Sequence, residues 1–105
     1  EAYVRVEAAK VMNWRMAWMV EQGRLPPANA SGVKVYGTET LIEIYSRLMD
    51  VLGAQGMVKS DSPGAVLLGA VEREYRACQI NTVGGGVNEI QRTILATMGL
   101  GMPRK

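Results

Sequence analysis

The sequence predicts an all-α protein whose four helices pack as an antiparallel, up-down bundle. Apolar residues recur at helical spacing in four segments, and Gly or Pro residues separate these segments. No segment of strand length alternates between apolar and polar side chains, so the pattern gives no sign of a sheet. With 105 residues, of which 48% are hydrophobic, the chain has the size of a single small domain.

The first predicted helix covers 2–20. One apolar stripe on it consists of Ala9, Met12, Met16 and Met19. A second stripe lies beside the first and consists of Val4, Ala8, Val11 and Trp18. We therefore expect this helix to be covered on more than one side. Gly23 favours a left-handed cap at its end, and the prolines that follow prevent its continuation.

Three further helices follow in the predicted order. The second is expected from about 28–31 to Leu52, with apolar residues along one side. Ser62 followed by Pro63 is typical of a helix start, so the third is expected from Pro63 to about residue 80. Its buried face is expected to carry Leu67, Val71 and Cys78. The fourth is expected over 87–98, with an apolar stripe of Ile90, Ile94 and Met98.

Composition excludes several classes of function. The formal net charge is only +2 and the basic residues are interspersed with acidic ones, which argues against a nucleic-acid partner. The chain has no His and one Cys, so we expect no metal site and no internal disulfide. Cys78 is expected to be a small core residue. No apolar run reaches the ~18 residues of a membrane span. These features suit a cytoplasmic protein.

The amino-terminal segment suggests a fragment. Helical periodicity begins at the first residue, without a capping residue or an initiator Met. We therefore expect 1–105 to be a single helical domain separated from the rest of a longer protein, exposing apolar surface and associating with itself. Trp14, Trp18 and the Met stripe are compatible with an acyl pocket, but their helical spacing favours a bundle core or an interface.

A glycine-rich connection precedes the fourth helix. Glycines let a ligand approach the backbone closely, and the free N–H groups of a helix start favour a phosphate. By itself, the pattern is more typical of a tight turn.

Two segments carry a resemblance to a known family. The segment GGGVNEIQRTILATMGLGMPRK (84–105) resembles the last helix and tail of acyl-CoA dehydrogenases, and LMDVLGAQG (48–56) is similar to their QxLGGxG segment. Residues 1–39 suit the helix pair that precedes them. The resemblance implies the C-terminal helical domain of an FAD-dependent enzyme that dehydrogenates acyl-CoA thioesters between the α and β carbons. It also implies an electron-transfer acceptor and a tetramer.

The resemblance also implies site residues. FAD contacts fall in the last turn of the second helix and the loop after it, at Asp50, Val51, Leu52, Gly53 and Ala54. This loop would serve the flavin of a neighbouring subunit. Further FAD contacts fall at the start of the fourth helix, at Gly86, Val87, Asn88 and Glu89. Substrate contacts fall at Gly84 and Gly85.

Three positions depart from the family pattern. Asp50 replaces a Gln and, as an acceptor-only carboxylate, would repel a pyrophosphate; an ordinary solvated charge explains it equally well. Val87 replaces a Thr and has no hydroxyl. Gly85 stands where many members have the glutamate base, so no catalytic residue is assigned. Glu89 is the nearest carboxylate, but the helix dipole explains its position. The base then lies upstream or on a partner chain.

Three hypotheses follow for the parent protein. In the first, it is an FAD-dependent acyl-CoA dehydrogenase that acts on an acyl-CoA substrate, and this chain is the helical domain that orders its flavin and its subunits. In the second, it is a non-catalytic or half-site subunit of a heteromeric enzyme, as the three departures suggest. In the third, it is a stand-alone helical interaction module that has kept the fold and lost the chemistry.

Overall fold

The computed structural model describes residues 1–104, and every regular element within them is helical. The α-helices are α1 (Ala2–Glu21), α2 (Pro27–Leu52), α3 (Ala70–Cys78) and α4 (Asn88–Ile94). Short 3₁₀ turns cover Gly53–Met57, Val66–Gly69 and Gln79–Thr82, and a π-helical turn covers Leu95–Gly99. The all-α class is confirmed. No helix of this described part is long and apolar enough to cross a membrane.

Helix α2 is the centre of the fold. Helices α1, α3 and α4 and the π-helical turn all pack against it. Within residues 1–104, α1 has no extended contact with α3 or with α4. The chain is therefore organised around one long helix, and the antiparallel, up-down order of a four-helix bundle stays a prediction.

The described chain buries very little apolar surface. Its buried hydrophobic residues are Ala28, Val35 and Cys78. The radius of gyration is 17.0 Å, whereas a compact domain of about 100 residues has one near ~13 Å. The expected exposed apolar surface is therefore present, and the chain is more extended than an independent domain of its length.

Helix α1 is covered on one side only. The stripe of Ala9, Met12, Met16 and Met19 is half-buried, as its spacing predicts. In the second stripe, Val4, Val11 and Trp18 are exposed, so the expectation of cover on more than one side is wrong for this structure. The helix ends as predicted at Gly23, where the amides of Gly23 and Arg24 bind the carbonyls of Val20 and Met19.

The predicted start of α3 is wrong. The helix begins at Ala70, and Pro63 lies in a turn before it. Leu67 and Leu68 adopt left-handed conformations, with φ of 49° and 55°, which interrupt any helix through this segment. The cause is tertiary, because Gly69 packs so closely on the backbone of Ser60 that a Cβ would collide with it. Leu67 is consequently 66% exposed.

Helix α4 is shorter than predicted, and a π-helical turn follows it. Val87 lies outside the helix, at the position before its first residue, and the helix is α-helical only to Ile94. The amide of Leu100 then binds the carbonyl of Leu95 at 3.1 Å, a bond of π-helical spacing. The wide turn lies where Gly99 meets Ala28 of α2. In the predicted apolar stripe, Ile94 is half-buried, while Ile90 and Met98 are exposed.

Candidate functional site

A row of polar side chains joins α2 to α4, and we call it the α2–α4 seam. It consists of Ser31, Lys34, Thr38 and Glu39 on α2, and of Asn88, Gln91 and Arg92 on α4. Spacings of three, four and seven residues place all of these side chains except Glu39 on one face of their helix, and Glu39 follows Thr38 directly. The seam holds the start of α4 and the connection before it, which is where the sequence places most site residues.

Asn88 is the central residue of the seam. Its side chain is only 5% exposed. Its amide nitrogen donates to Oγ1 of Thr38 at 3.0 Å and to Oε1 of Glu39 at 3.2 Å. Its amide oxygen accepts a hydrogen bond from Nζ of Lys34. Because both donors and the acceptor of this amide bind within the chain, the side chain of Asn88 fixes α4 on α2.

Lys34 connects the seam to the connection before α4. Its Nζ donates to the carbonyl oxygens of Thr82 at 3.0 Å and of Gly86 at 2.6 Å, besides Oδ1 of Asn88. An ammonium group has three donors, so this one is saturated by the chain itself. Both ends of the glycine-rich connection are thereby tied to one side chain of α2.

Two more contacts complete the seam. The buried hydroxyl of Ser31 donates to Oε1 of Gln91 at 2.6 Å. Nη2 of Arg92 donates to both carboxylate oxygens of Glu39, at 2.6 and 2.8 Å. The guanidinium of Arg92 is mostly exposed, so water screens this ion pair and its contribution to stability is small.

The connection itself presents open backbone. Gly85 and Gly86 are left-handed, with φ of 71° and 106°. A Cβ on Gly86 would collide with the side-chain amide of Gln91, whereas one on Gly85 would meet no atom within 4 Å. Gly86 is therefore favoured by its φ and by its close approach to the end of the Gln91 side chain, and the space beside Gly85 is accessible to a ligand.

The first turn of α4 offers backbone donors beside this space. A helix leaves its first N–H groups without partners in the helix, and no side chain caps those of α4. Glu89, in the same turn, is exposed and complements the positive end of the helix dipole. These N–H groups follow Gly85 closely in the chain, so a polar or anionic ligand group at the start of α4 would find donors.

The second predicted segment lies elsewhere on α2. Asp50, Val51 and Leu52 form the last turn of the helix, and Gly53 ends it with φ of 58°. Val51 is 83% exposed. At 1.5 Å per residue, roughly 20 Å of α2 separates this turn from the level of the seam. The structure therefore does not bring residues 50–54 together with residues 84–89 in one site of this chain.

Other residues considered from the sequence have ordinary positions. Cys78 is 3% exposed, and burial raises the pKa of its thiol, which disfavours the reactive thiolate. Its prediction as a core residue is confirmed. Met12 and Met16 line an apolar cleft with Leu95 between α1, α2 and the π-helical turn. Neither Trp14 nor Trp18 lines that cleft, and Trp14 is 77% exposed.

The sequence did not reveal four residues of the seam, namely Ser31, Lys34, Thr38 and Glu39. Their partners lie about 50–60 residues further along the chain, so no local motif contains both. The available signal was a row of polar residues at helical spacing on the long, otherwise apolar second helix.

Comparison with known proteins identifies the family. The family described as "Acyl-CoA dehydrogenase, C-terminal domain" matches residues 1–100. The acyl-CoA dehydrogenase FadE26 of Mycobacterium tuberculosis is 45% identical, over 97% of this chain and 26% of its own length. The mitochondrial short-chain specific acyl-CoA dehydrogenase of Bos taurus is 30% identical, over 87% of this chain and 20% of its own length.

Solved structures agree in fold. The Tcur3481-Tcur3483 steroid ACAD is 47% identical with a TM-score of 0.92, over 99% of this chain and 27% of that one. The ChsE4-ChsE5 complex from Mycobacterium tuberculosis is 47% identical with a TM-score of 0.88, over 98% of this chain and 26% of that one. The chain thus spans about a quarter of the length of these relatives. It belongs to the acyl-CoA dehydrogenase family, of which it is a C-terminal domain.

Proposed function

We propose that this chain is the C-terminal domain of a longer, FAD-dependent acyl-CoA dehydrogenase, and that the start of α4 contributes to its flavin site. Acyl-CoA dehydrogenases are FAD-dependent enzymes. The observation that carries the proposal is the open space at Gly85, close in sequence to the first turn of α4, which no side chain caps. The seam fixes both on α2, so the site is organised before any ligand binds.

The chemistry of the donors suits a flavin at this position. Backbone N–H groups at 87–89 can bind the polar edge or the phosphates of the cofactor without a protein side chain. Val87, in the place of a hydroxyl residue, contributes only its backbone. Gly85 keeps the main chain clear of a side chain on the open side of the connection.

In the reaction, bound FAD would accept the hydride equivalent that leaves the β carbon of the acyl-CoA. The residues of this chain would orient the cofactor and leave room for the thioester beside Gly84 and Gly85. The α-proton must go to a positioned base, and Gly85 has no side chain to receive it. We therefore place the base outside this position, either upstream in the same protein or on a partner chain.

The segment 50–54 supports a role between subunits. It lies roughly 20 Å along α2 from the seam, and the resemblance implies that it contacts the cofactor of a neighbouring subunit. Only the backbone of this segment suits the phosphates of FAD, since the carboxylate of Asp50 would repel them. We infer a homo- or hetero-oligomer in which the four helices join an antiparallel bundle.

A second candidate function is a half-site or non-catalytic subunit of a heteromeric acyl-CoA dehydrogenase. Asp50, Gly85 and Val87 each remove a side-chain function that the family pattern supplies. Two relatives carry heteromeric names, the ChsE4-ChsE5 complex and subunit CarC of the caffeyl-CoA reductase-Etf complex of Acetobacterium woodii. In such an assembly, a partner would supply the base and the second half of each flavin site.

Flavin content decides between these candidates. The longer protein should be purified alone and after coexpression with neighbouring family members, and its flavin released and measured by absorbance. One FAD per subunit with turnover alone would support the homo-oligomer. FAD and turnover only with a partner would support the half-site subunit. A protein without flavin in both preparations would contradict both candidates and favour an interaction module. The substrate panel should include a steroid acyl-CoA, given the name of one relative.

A further inference from the structure

Lys34 determines which way the peptide before α4 faces. Its ammonium binds the carbonyl oxygen of Gly86 at 2.6 Å, from the α2 side. A trans peptide is planar, so its N–H points opposite to its C=O. The N–H of Val87 belongs to the same peptide as the Gly86 carbonyl, and it is therefore turned away from Lys34 and α2.

The N–H of Val87 has no protein partner among the described residues. No backbone or side-chain hydrogen bond is donated by it within residues 1–104. Val87 precedes the first residue of α4 and lies next to the open space at Gly85. The contact from Lys34 thus leaves one backbone donor directed outward, beside the region proposed for the flavin.

The position of Lys34 is electrostatically unusual. A cation near the amino end of a helix opposes the helix dipole, yet its Nζ binds Asn88, the first residue of α4. Three oxygen acceptors offset this cost. A lysine used only to solubilise the surface would extend into water instead. The contacts that hold it are those that define the shape of the connection.

We propose that Lys34 is a positioning residue, which orients the peptide between Gly86 and Val87 so that its N–H can bind the flavin. This role rests on the proposed function, since it assumes that the flavin lies at the start of α4. Lys34 itself contacts the connection and Asn88, and acts on the cofactor only through them.

The test compares three variants of the longer protein. Lys34→Met keeps the length of the side chain and removes its donors. Ser31→Ala removes the neighbouring contact of the same seam, to Oε1 of Gln91, but removes neither the bonds of Lys34 nor the bond from Nε2 of Gln91 to the Gly85 carbonyl. Lys10→Met removes an exposed lysine of α1 whose Nζ donates to Glu7 of the same helix. Each variant is first shown to be folded by circular dichroism, and FAD binding is then titrated by the change in flavin fluorescence.

We expect Lys34→Met to raise the Kd for FAD by about tenfold or more. Without the charged hydrogen bonds of Lys34, the peptide between Gly86 and Val87 must be oriented when FAD binds, and that lowers the affinity. Ser31→Ala and Lys10→Met should change it less than about twofold. An equal loss in Lys34→Met and Ser31→Ala would overturn the proposal, because Lys34 would then only support the packing of α4. An unchanged Kd in Lys34→Met would overturn it as well.

Amide hydrogen exchange without flavin provides the second readout. In Lys34→Met, amides of 83–88 should exchange at least about tenfold faster than in the wild type, while those of α1 should not change. Unchanged exchange at 83–88 would overturn the proposal even if FAD affinity fell. A wild-type protein that binds no FAD would overturn the proposed function and this role with it. In that case, faster exchange at 83–88 in Lys34→Met would still show that Lys34 orders the connection.

Discussion

The side-chain amide of Asn88 donates to Oγ1 of Thr38 at 3.0 Å, and this buried contact ties the first turn of α4 to the middle of α2. The two residues are 50 positions apart in the chain. Because the contact lies beside the glycine-rich connection, it links the packing of the fold to the geometry of the proposed flavin site.

Asn88→Ala should loosen α4. The substitution leaves one donor of Lys34 without its acceptor and removes the donor that binds Thr38 and Glu39. An unsatisfied buried group costs about 1–3 kcal/mol. We expect the free energy of local opening of α4 to fall by that amount, measured by amide hydrogen exchange. Asn81→Ala, at an exposed residue, is the matched control and should stay within about 0.5 kcal/mol. Equal effects in both variants would contradict the central place of Asn88.

Gly86→Ala should be more harmful than Gly85→Ala. Both positions have left-handed φ, which costs an L-residue roughly 1–2 kcal/mol. Only at Gly86 would the new Cβ also collide with Gln91. We expect the larger drop in thermal midpoint, and the larger loss of FAD affinity, in Gly86→Ala. Equal drops would mean that the collision is relieved by movement of the Gln91 side chain.

Cys78 should be unreactive in the folded protein. Burial raises the pKa of its thiol, so iodoacetamide should modify it much more slowly at pH 8 than after unfolding in urea. The peptide that contains Cys78 can be followed by mass spectrometry. Rapid modification of the folded protein would show that α3 opens easily.

The same thiol predicts a pH dependence of stability. Its pKa is raised in the folded state, so the unfolded chain ionises first as the pH rises. The contribution of Cys78 to the free energy of unfolding is complete at pH values below the pKa of its thiol in the unfolded chain. It is lost as the pH rises through the pKa of the thiol in the folded protein. The difference in unfolding free energy between the wild type and Cys78→Ala should therefore shrink at alkaline pH. A difference independent of pH would contradict the burial of the ionisable thiol.

The isolated 105-residue chain should associate with itself. Tyr3, Val4, Val11 and Trp14 expose apolar side chains on α1, and such patches favour association in water. Trp14→Glu should reduce the average mass seen by sedimentation, while Lys10→Gln on the same helix should not. A wild-type chain that stays monomeric at high concentration would contradict this prediction.

Periodicity predicted the long helices well and the short ones poorly. The bounds of α1 and α2 follow from apolar spacing and from Gly and Pro residues, because those helices satisfy their backbone locally. The start of α3 does not follow from the local sequence. Leu67 and Leu68 before it are left-handed, at the point where Gly69 approaches the backbone of Ser60. Ser62 and Pro63 form a valid local start signal that tertiary contact overrides.

The candidate site was predictable only in part. The open connection at 84–86 and the start of α4 follow from a motif that is local in sequence. Lys34 was missed because its partners, Thr82 and Gly86, lie about 50 residues away and bind through main-chain carbonyls, which carry no sequence signal. The separation of residues 50–54 from this site follows from the length of α2. It could not be predicted from the sequence, because the position on α2 where α4 packs is known only from the structure.

Amide hydrogen exchange of the longer protein, with and without added FAD, tests the proposed flavin contact most directly. We predict that the amides of 87–89 become protected when FAD binds, because they are the uncapped donors beside Gly85 and Gly86. Amides of α1, which has no extended contact with α4 in the described residues, should not change. Stoichiometric FAD binding with unchanged exchange at 87–89 would contradict a flavin contact at the start of α4.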